Sequence, residues 1–256
     1  MDMKKIMAAL AVAGVATAGF AVVESPNIVG YTGTAMPASG AKGMGASFFN
    51  VTTGGTMTYA DIQVTGYTGE ISGTDINMKK LDSAGRGVGK VAFWLDCVDE
   101  GDKYYGWYDE DWESLNATTL SSGEGLWVYC NNDTYQLQSS GQVPGAAVAV
   151  SMPASGAKLI VNPMPAPLTY GDITVTGYTG EISGTDINMK KLDSAGRGTG
   201  KVAFWLDCID EGDTYYGWYD EDWESLNNTP LAIGEALWVY CNDSTKMMNF
   251  PSPVAE

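Results

Sequence analysis

Residues 61–116 of this 256-residue chain return almost unchanged as residues 172–227, and no other feature constrains the fold as much. The copies differ only at Gln63/Thr174, Val88/Thr199, Val98/Ile209 and Lys103/Thr214. A period of about 111 residues is that of a whole domain, since solenoid units span roughly 20–45 residues. The flanks match more loosely: residues 36–42 return as 152–158, and 123–130 as 234–241. Residues 141–145, Gly-Gln-Val-Pro-Gly, read as a linker. The expected organisation is a signal peptide over residues 1–21 and two β-repeat domains, 22–144 and 145–256, each long enough for its own core.

Within a repeat the pattern is one of strands and turns. In residues 91–97 Val91, Phe93, Leu95 and Cys97 alternate with polar and aromatic neighbours and are expected to share the apolar face. Asp99, Glu100, Gly101 and Asp102 supply a turn, and residues 104–108 read as the returning strand of a hairpin. Leu126, Val128 and Cys130 share a face of the next strand, with further strands expected at 135–138, 147–150 and 158–161. Residues 74–81 are the one stretch where a helix competes, and a short strand is preferred. With 32 glycines and only 18% charged residues, the composition suits a turn-rich β protein and not a disordered one. The fold class expected is all-β: two tandem antiparallel β-sandwich-like repeats, with a barrel or trefoil-like arrangement as the alternative.

Several function classes fall away early. The formal charge of −17 repels phosphate backbones, so nucleic acid is not an expected partner. The chain contains no histidine, which removes Ser-His and Cys-His catalysis and most catalytic zinc sites. Lys4 and Lys5, an apolar run over residues 6–15 and the Ala16-Thr17-Ala18 cleavage pattern, with Gly19-Phe20-Ala21 as a second cut, form an export signal. No later apolar stretch is long enough to span a bilayer once that signal is removed. The mature protein is therefore expected to be secreted, periplasmic or attached to the bacterial cell surface, and not an enzyme.

Four cysteines in an exported chain suggest disulfides. Cys97 and Cys130 lie on the expected apolar faces of their strands, as do Cys208 and Cys241. One bridge within each repeat is expected, because each unit was complete before it was duplicated. Closing such a loop contributes about 3–4 kcal/mol in the chain-entropy model. Metal binding by the thiols is the rival reading, but it requires closer spacing or histidine partners.

Short motifs add a resemblance. The chain carries residues 27–31 (Asn-Ile-Val-Gly-Tyr), 159–163 (Leu-Ile-Val-Asn-Pro), Trp94 with Gly106-Trp107, 123–127 (Gly-Glu-Gly-Leu-Trp) and 141–144 (Gly-Gln-Val-Pro). The second copy supplies Trp205, Gly217-Trp218 and 234–238. In these segments the chain resembles uncharacterised secreted bacterial β-repeat proteins. That resemblance implies an exported β module without known catalytic residues. The first repeat departs from it by carrying Gly43-Met44-Gly45-Ala46 where the pattern has Leu-Ile-x-Asn-Pro, and the cysteines are an addition.

The densest functional candidate spans residues 96–113 and recurs over 207–224. Flat aromatic rings beside carboxylates suit a glycan, and Tyr105, Trp107 and Trp112 with Tyr216, Trp218 and Trp223 are the candidate ligand-binding residues. Asp99, Asp102, Asp109 and Asp111, with Asp210, Asp213, Asp220 and Asp222, are candidate Ca²⁺ ligands, although their spacing is not that of an EF-hand. No other cofactor is expected. The plainer alternative packs the tryptophans across the sheets and leaves the acids to solubilise the hairpin tips. The function expected is a non-catalytic exported structural or interaction module with a protein or glycan surface partner. The alternative is a carbohydrate-binding protein, with or without Ca²⁺.

Overall fold

The computed structural model describes residues 29–44, 56–67, 76–81, 87–178, 187–192 and 197–254; the expected signal peptide lies outside them. These residues are all-β, in several antiparallel sheets and without an α-helix. Among them no helix is long and apolar enough to cross a membrane.

A five-stranded sheet in the first half has the order β2 (Ala41–Met44), β9 (Leu126–Tyr129), β5 (Asn77–Leu81), β6 (Gly87–Asp99), β7 (Asp102–Tyr108). Of the stretch where a helix competed, Asn77–Leu81 form the central strand β5, and residues 74 and 75 lie outside the described residues. A three-stranded sheet joins β1 (Val29–Ala35), β10 (Gln136–Gln142) and β4 (Ile62–Thr65), and β3 (Thr56–Thr58) pairs with β8 (Thr119–Ser121).

The second half repeats this plan strand for strand. Its five-stranded sheet runs β12 (Ala157–Val161), β19 (Ala236–Tyr240), β15 (Asn188–Leu192), β16 (Gly198–Asp210), β17 (Asp213–Tyr219). Its three-stranded sheet runs β11 (Val148–Ser151), β20 (Met247–Phe250), β14 (Thr174–Thr176), with β13 (Leu168–Thr169) beside β18 (Pro230–Leu231). The expected linker differs in one respect. Gly141 and Gln142 still belong to β10, paired with Gly30 and Val29, and Val143 is buried.

The two larger sheets of the first half share one core. Met78, Ala92, Trp94, Trp107 and Val128 meet Ile62, Val64 and Leu137 in a single buried cluster. Trp94 and Trp107 are opposite residues of β6 and β7, with ring centroids 5.3 Å apart in a T-shaped contact. The Trp107 indole N–H donates to the Ile62 carbonyl oxygen at 2.8 Å, while Trp94 Nε1 has no hydrogen-bond partner. Trp218, Ile173 and Trp205 repeat the pattern.

This core reverses the face assigned from the sequence. The alternation along β6 is real, but Ala92 and Trp94 point into the core, so Phe93 and Cys97 lie on the opposite side. The same reversal removes the disulfides. None of Cys97, Cys130, Cys208 and Cys241 is in a disulfide. Cys130 is part of the core cluster, whereas Cys97 opposes Tyr104 on the other face of the sheet. Asn77 of β5 stands opposite both Tyr129 and Phe93, which puts Cys130 level with Trp94. The two cysteines are then separated by two strand spacings, about 9–10 Å, and by three residues along the strand, about 10 Å more. A disulfide needs Cα atoms within about 7 Å. Cys208 and Cys241 stand in the same relation.

The halves touch through an exchange of equivalent contacts. Met44 bridges to Glu235, and Ile160 bridges to Glu124, so the start of the β9 or β19 segment in each half receives the β2 or β12 strand of the other. Leu159, Val161, Leu192 and Ala236 form a second cluster there, packed by Trp127 and Trp238. Glycine makes this approach possible on the first-repeat side. A Cβ on Gly43 would come within 2.9 Å of Leu192 and 3.0 Å of Leu159, and one on Gly125 within 2.2 Å of Leu159. The Gly43 departure from the repeat pattern is therefore space for the other half's leucines.

Two stability measurements check these contacts. In denaturant melts Trp107→Phe should cost about 1–3 kcal/mol more than Trp94→Phe, because it alone leaves a buried carbonyl unpaired. Equal costs would contradict the assigned hydrogen bond. Gly125→Ala should destabilise the chain by about 1–3 kcal/mol through overpacking. Leu159→Ala in the same chain should recover part of that loss, as coupled neighbours do.

Candidate functional site

The loop that follows β7 is organised by one carboxylate. Asp109 is almost completely buried. Its Oδ1 accepts the backbone N–H groups of Asp111 at 3.0 Å and Glu113 at 2.9 Å. Its Oδ2 accepts a short hydrogen bond from Lys90 of β6. Backbone bonds from Asp109 N–H to Glu113 O and from Trp112 N–H to Asp109 O close the loop. Lys90 also donates to Glu113 at 2.9 Å. An aspartate at the head of a turn that accepts from the next amides is a common way to fix such a loop. The Lys90 ammonium, aided by the two amides, holds the Asp109 carboxyl below its usual range against the opposing effect of desolvation. Lys90 is raised above its own, chiefly through its bonds to Asp109 and then Glu113. Asp220, Lys201 and Glu224 reproduce the arrangement.

The loop also forces Trp112 into a left-handed conformation, with φ +62°, and Trp223 likewise. A bulky residue there carries about 1–3 kcal/mol of backbone strain. What holds the ring is Tyr104, whose centroid lies 4.7 Å from that of Trp112 in an edge contact. Tyr108 makes an edge contact with Tyr104 at 5.5 Å. Tyr104, Tyr108 and Trp112 are each partly exposed, so they form an aromatic surface on the face of the sheet away from the core. Burial, with the charges of Asp102 and Asp99, holds the Tyr104 hydroxyl above its ordinary range. Tyr215, Tyr219 and Trp223 build the same surface in the second half.

Beside this surface lies a groove of about 340 Å³, lined by Lys79, Gly89, Lys90, Val91, Phe93, Asp109, Glu110 and Asp111. Its counterpart, about 240 Å³, is lined by Lys190, Gly200, Lys201, Val202, Phe204, Asp220, Glu221 and Asp222. The 109–113 loop is at once the wall of the groove and the support of Trp112.

The aromatic residues expected to bind ligand do not assemble as a group. Trp107 and Trp218 are 0% exposed, so no ligand reaches them; their rings belong to the core. Tyr105 and Tyr216 are 46% and 55% exposed, but Tyr105 packs edge-on against Trp94, on the opposite face from Trp112. Only Trp112 and Trp223 remain at the surface described above. Tyr104, Tyr108, Phe93, Lys79 and Lys90 are not among the ligand residues expected from the sequence, although Tyr104 and Tyr108 share the strand face opposite Tyr105 and Trp107. The signal for the tyrosines was the alternation in Tyr104-Tyr105-Gly106-Trp107-Tyr108, once Trp107 is known to face inward.

The candidate calcium ligands are also dispersed. Asp99 and Asp102 face each other across the hairpin, as do Asp210 and Asp213. Asp109 and Asp220 are taken by lysine and backbone amides. Asp111 and Asp222 are exposed at the groove rim. Among the described residues no three Cys, Asp or Glu side chains are grouped to hold a metal ion. Comparison with protein-family models, curated protein sequences and solved structures gives no match for this chain.

The depressed carboxyl sets a pH dependence. A group whose pKa is lower in the folded chain stabilises it above the unfolded value and loses that contribution as pH falls through the folded value. The contribution from Asp109 and Asp220 should therefore be complete at neutral pH and fade below about pH 4. Thermal melts of the double variant Asp109→Asn/Asp220→Asn should lie below those of the parent at pH 7 and converge on them towards pH 2. A constant gap across that range would rule out the ion pairs as its source.

Proposed function

We propose that the chain is a non-catalytic, exported interaction module of the bacterial envelope or extracellular space. In this reading it consists of two tandem sandwich-like units. Each presents the aromatic and acidic surface beside its 109–113 or 220–224 loop to a partner on a protein or glycan surface. The observation that carries the reading is Trp112, repeated at Trp223: a large ring held in a strained backbone state and left partly exposed. Glycine would fill that position without strain, so core packing and turn chemistry alone do not account for tryptophan.

Two further points support a binding role over a catalytic one. Asp109, the most buried acid of the cluster, is held ionised by Lys90 and two amides. It is unsuited to donate a proton, and a carboxylate pair with opposed acidities is what acid–base hydrolysis needs. The chain also offers no histidine. Two equivalent surfaces on one chain favour a repetitive partner, because the second contact forms at high effective concentration.

Co-sedimentation with purified bacterial envelope material tests the proposal. The parent chain should pellet with the envelopes, and Trp112→Gly/Trp223→Gly should stay in the supernatant. Each single variant should bind with lower apparent affinity than the parent. The substitution suits the left-handed backbone, so loss of binding would not reflect loss of fold. Pelleting that survives the double change would remove these surfaces from the function.

A further inference from the structure

We infer that the groove of each repeat is a carbohydrate subsite, taking one or two rings of a neutral oligosaccharide stacked on Phe93 in the first repeat and on Phe204 in the second. The inference rests on the interaction role proposed above and assigns that site its ligand class. Four observations carry it: the shape of the groove, its floor, the charges of its walls, and its occurrence in both repeats.

The volume of about 340 Å³ lies at the lower end for small-molecule sites and that of about 240 Å³ just below it. A flat protein surface or a helix does not enter such a space, whereas a sugar ring does. The floor is Val91 and Phe93, on the face of β6 opposite Trp94. Phe93 is partly exposed and stands beside Tyr108 across the strand pair. An exposed aromatic ring on a rigid sheet gives the apolar face of a pyranose a broad contact at little entropic cost.

The walls decide between ligand charges. Lys90 and Asp109 neutralise each other, which leaves Lys79 at one side and the Glu110 and Asp111 carboxylates at the other. The Lys79 stem is laid along the Gly87 backbone, where a Cβ would come within 2.8 Å of its Cδ. An anionic ligand meets two carboxylates against one ammonium and is disfavoured. A polyol suits both walls, since its hydroxyls donate to carboxylates and accept from an ammonium. Lys190, Glu221 and Asp222 line the second groove in the same way.

Titration calorimetry of the full chain tests the inference, using neutral gluco-, manno- and galacto-oligosaccharides and N-acetylglucosamine oligomers as probes. At least one class should bind with two sites per chain. Phe93→Ala/Phe204→Ala should weaken it by about tenfold or more, the equivalent of a lost stacking contact. Because a floor substitution can disturb the sheet, the exposed pair Asp111→Asn/Asp222→Asn and the rim pair Lys79→Met/Lys190→Met serve as second variants. Each should weaken binding several-fold without changing the melting temperature. If no oligosaccharide class binds, or if binding ignores the Asp111 and Lys79 changes, the carbohydrate assignment is wrong. Envelope pelleting that still depends on Trp112 and Trp223 would then leave the interaction role standing with a different ligand. Loss of both results would end both readings.

Discussion

The contact between Trp94 and Trp107 sets the phase of the β6–β7 hairpin, and nearly everything about the surface follows from it. Side chains on a strand alternate with a period of two, so fixing one inward residue fixes the face of every other. With Trp94 and Trp107 inside, Phe93, Cys97, Tyr104 and Tyr108 are placed on the far face. The Trp107 bond to the Ile62 carbonyl ties this hairpin to the three-stranded sheet, so a slip by one residue costs a buried hydrogen bond as well as the packing. The aromatic surface, the groove floor and the separation of the cysteines all depend on that register.

A second constraint converts the hairpin's far end into a site. β7 is the edge strand of its sheet, and an edge without cover is open to pairing with other chains. Here the chain turns back through the loop built on Asp109, bridges Tyr108 to Ser114 and sends the Leu115 N–H to the Trp107 carbonyl. Covering the edge thus brings several carboxylates and one tryptophan beside the tyrosines of β7. Lys90 ties two of these carboxylates, Asp109 and Glu113, to β6. The same residues close the edge and wall the groove, so the groove wall is tied by backbone bonds to the sheet.

Much of this architecture was legible in the residues. Turn-forming clusters and alternation identified β6, β7, β9, β10, β11 and β12, with β5 in place of a helix, and Asp99 to Asp102 marked the hairpin turn, whereas β1, β3, β4 and β8 were not expected. The sequence was silent on phase. Phe93-Trp94-Leu95 and Gly106-Trp107-Tyr108 are apolar on both sides, so alternation alone cannot say which face is buried. With Val91, Phe93, Leu95 and Cys97 as the inner set, Cys97 would stand in the core beside a disulfide partner and Trp107 would be free for a ligand. Burial of the larger indole rings, with an acceptor at Ile62 for one of them, decides the matter the other way. Leu95 is buried even on the outer face, which is why the pattern looked apolar throughout. The role of Asp109 was hidden for a different reason: among eight acids in one stretch, only geometry shows which accepts two amides and a lysine.

Near-identity of the two copies does not make their surroundings equivalent. Each half offers the same two elements to the other, the end of β2 or β12 and the segment before β9 or β19, so the contact has the form of a two-fold exchange. If the side chains there were also identical, a second chain could replace either half and the contact would not be confined to one molecule. They are not identical. Leu159 stands where the first repeat has Gly43, and Ala236 where it has Gly125, and Leu159 fills the space that both glycines leave. Two second repeats brought together in this way would set Leu159 against Ala236, where even a glycine has no room for a Cβ. Two first repeats would leave the space unfilled. Only a first repeat with a second satisfies the packing, and the two are already joined in one chain. The asymmetry at this one seam therefore favours the internal pairing of the halves, and their outer faces, with the two grooves, stay alike.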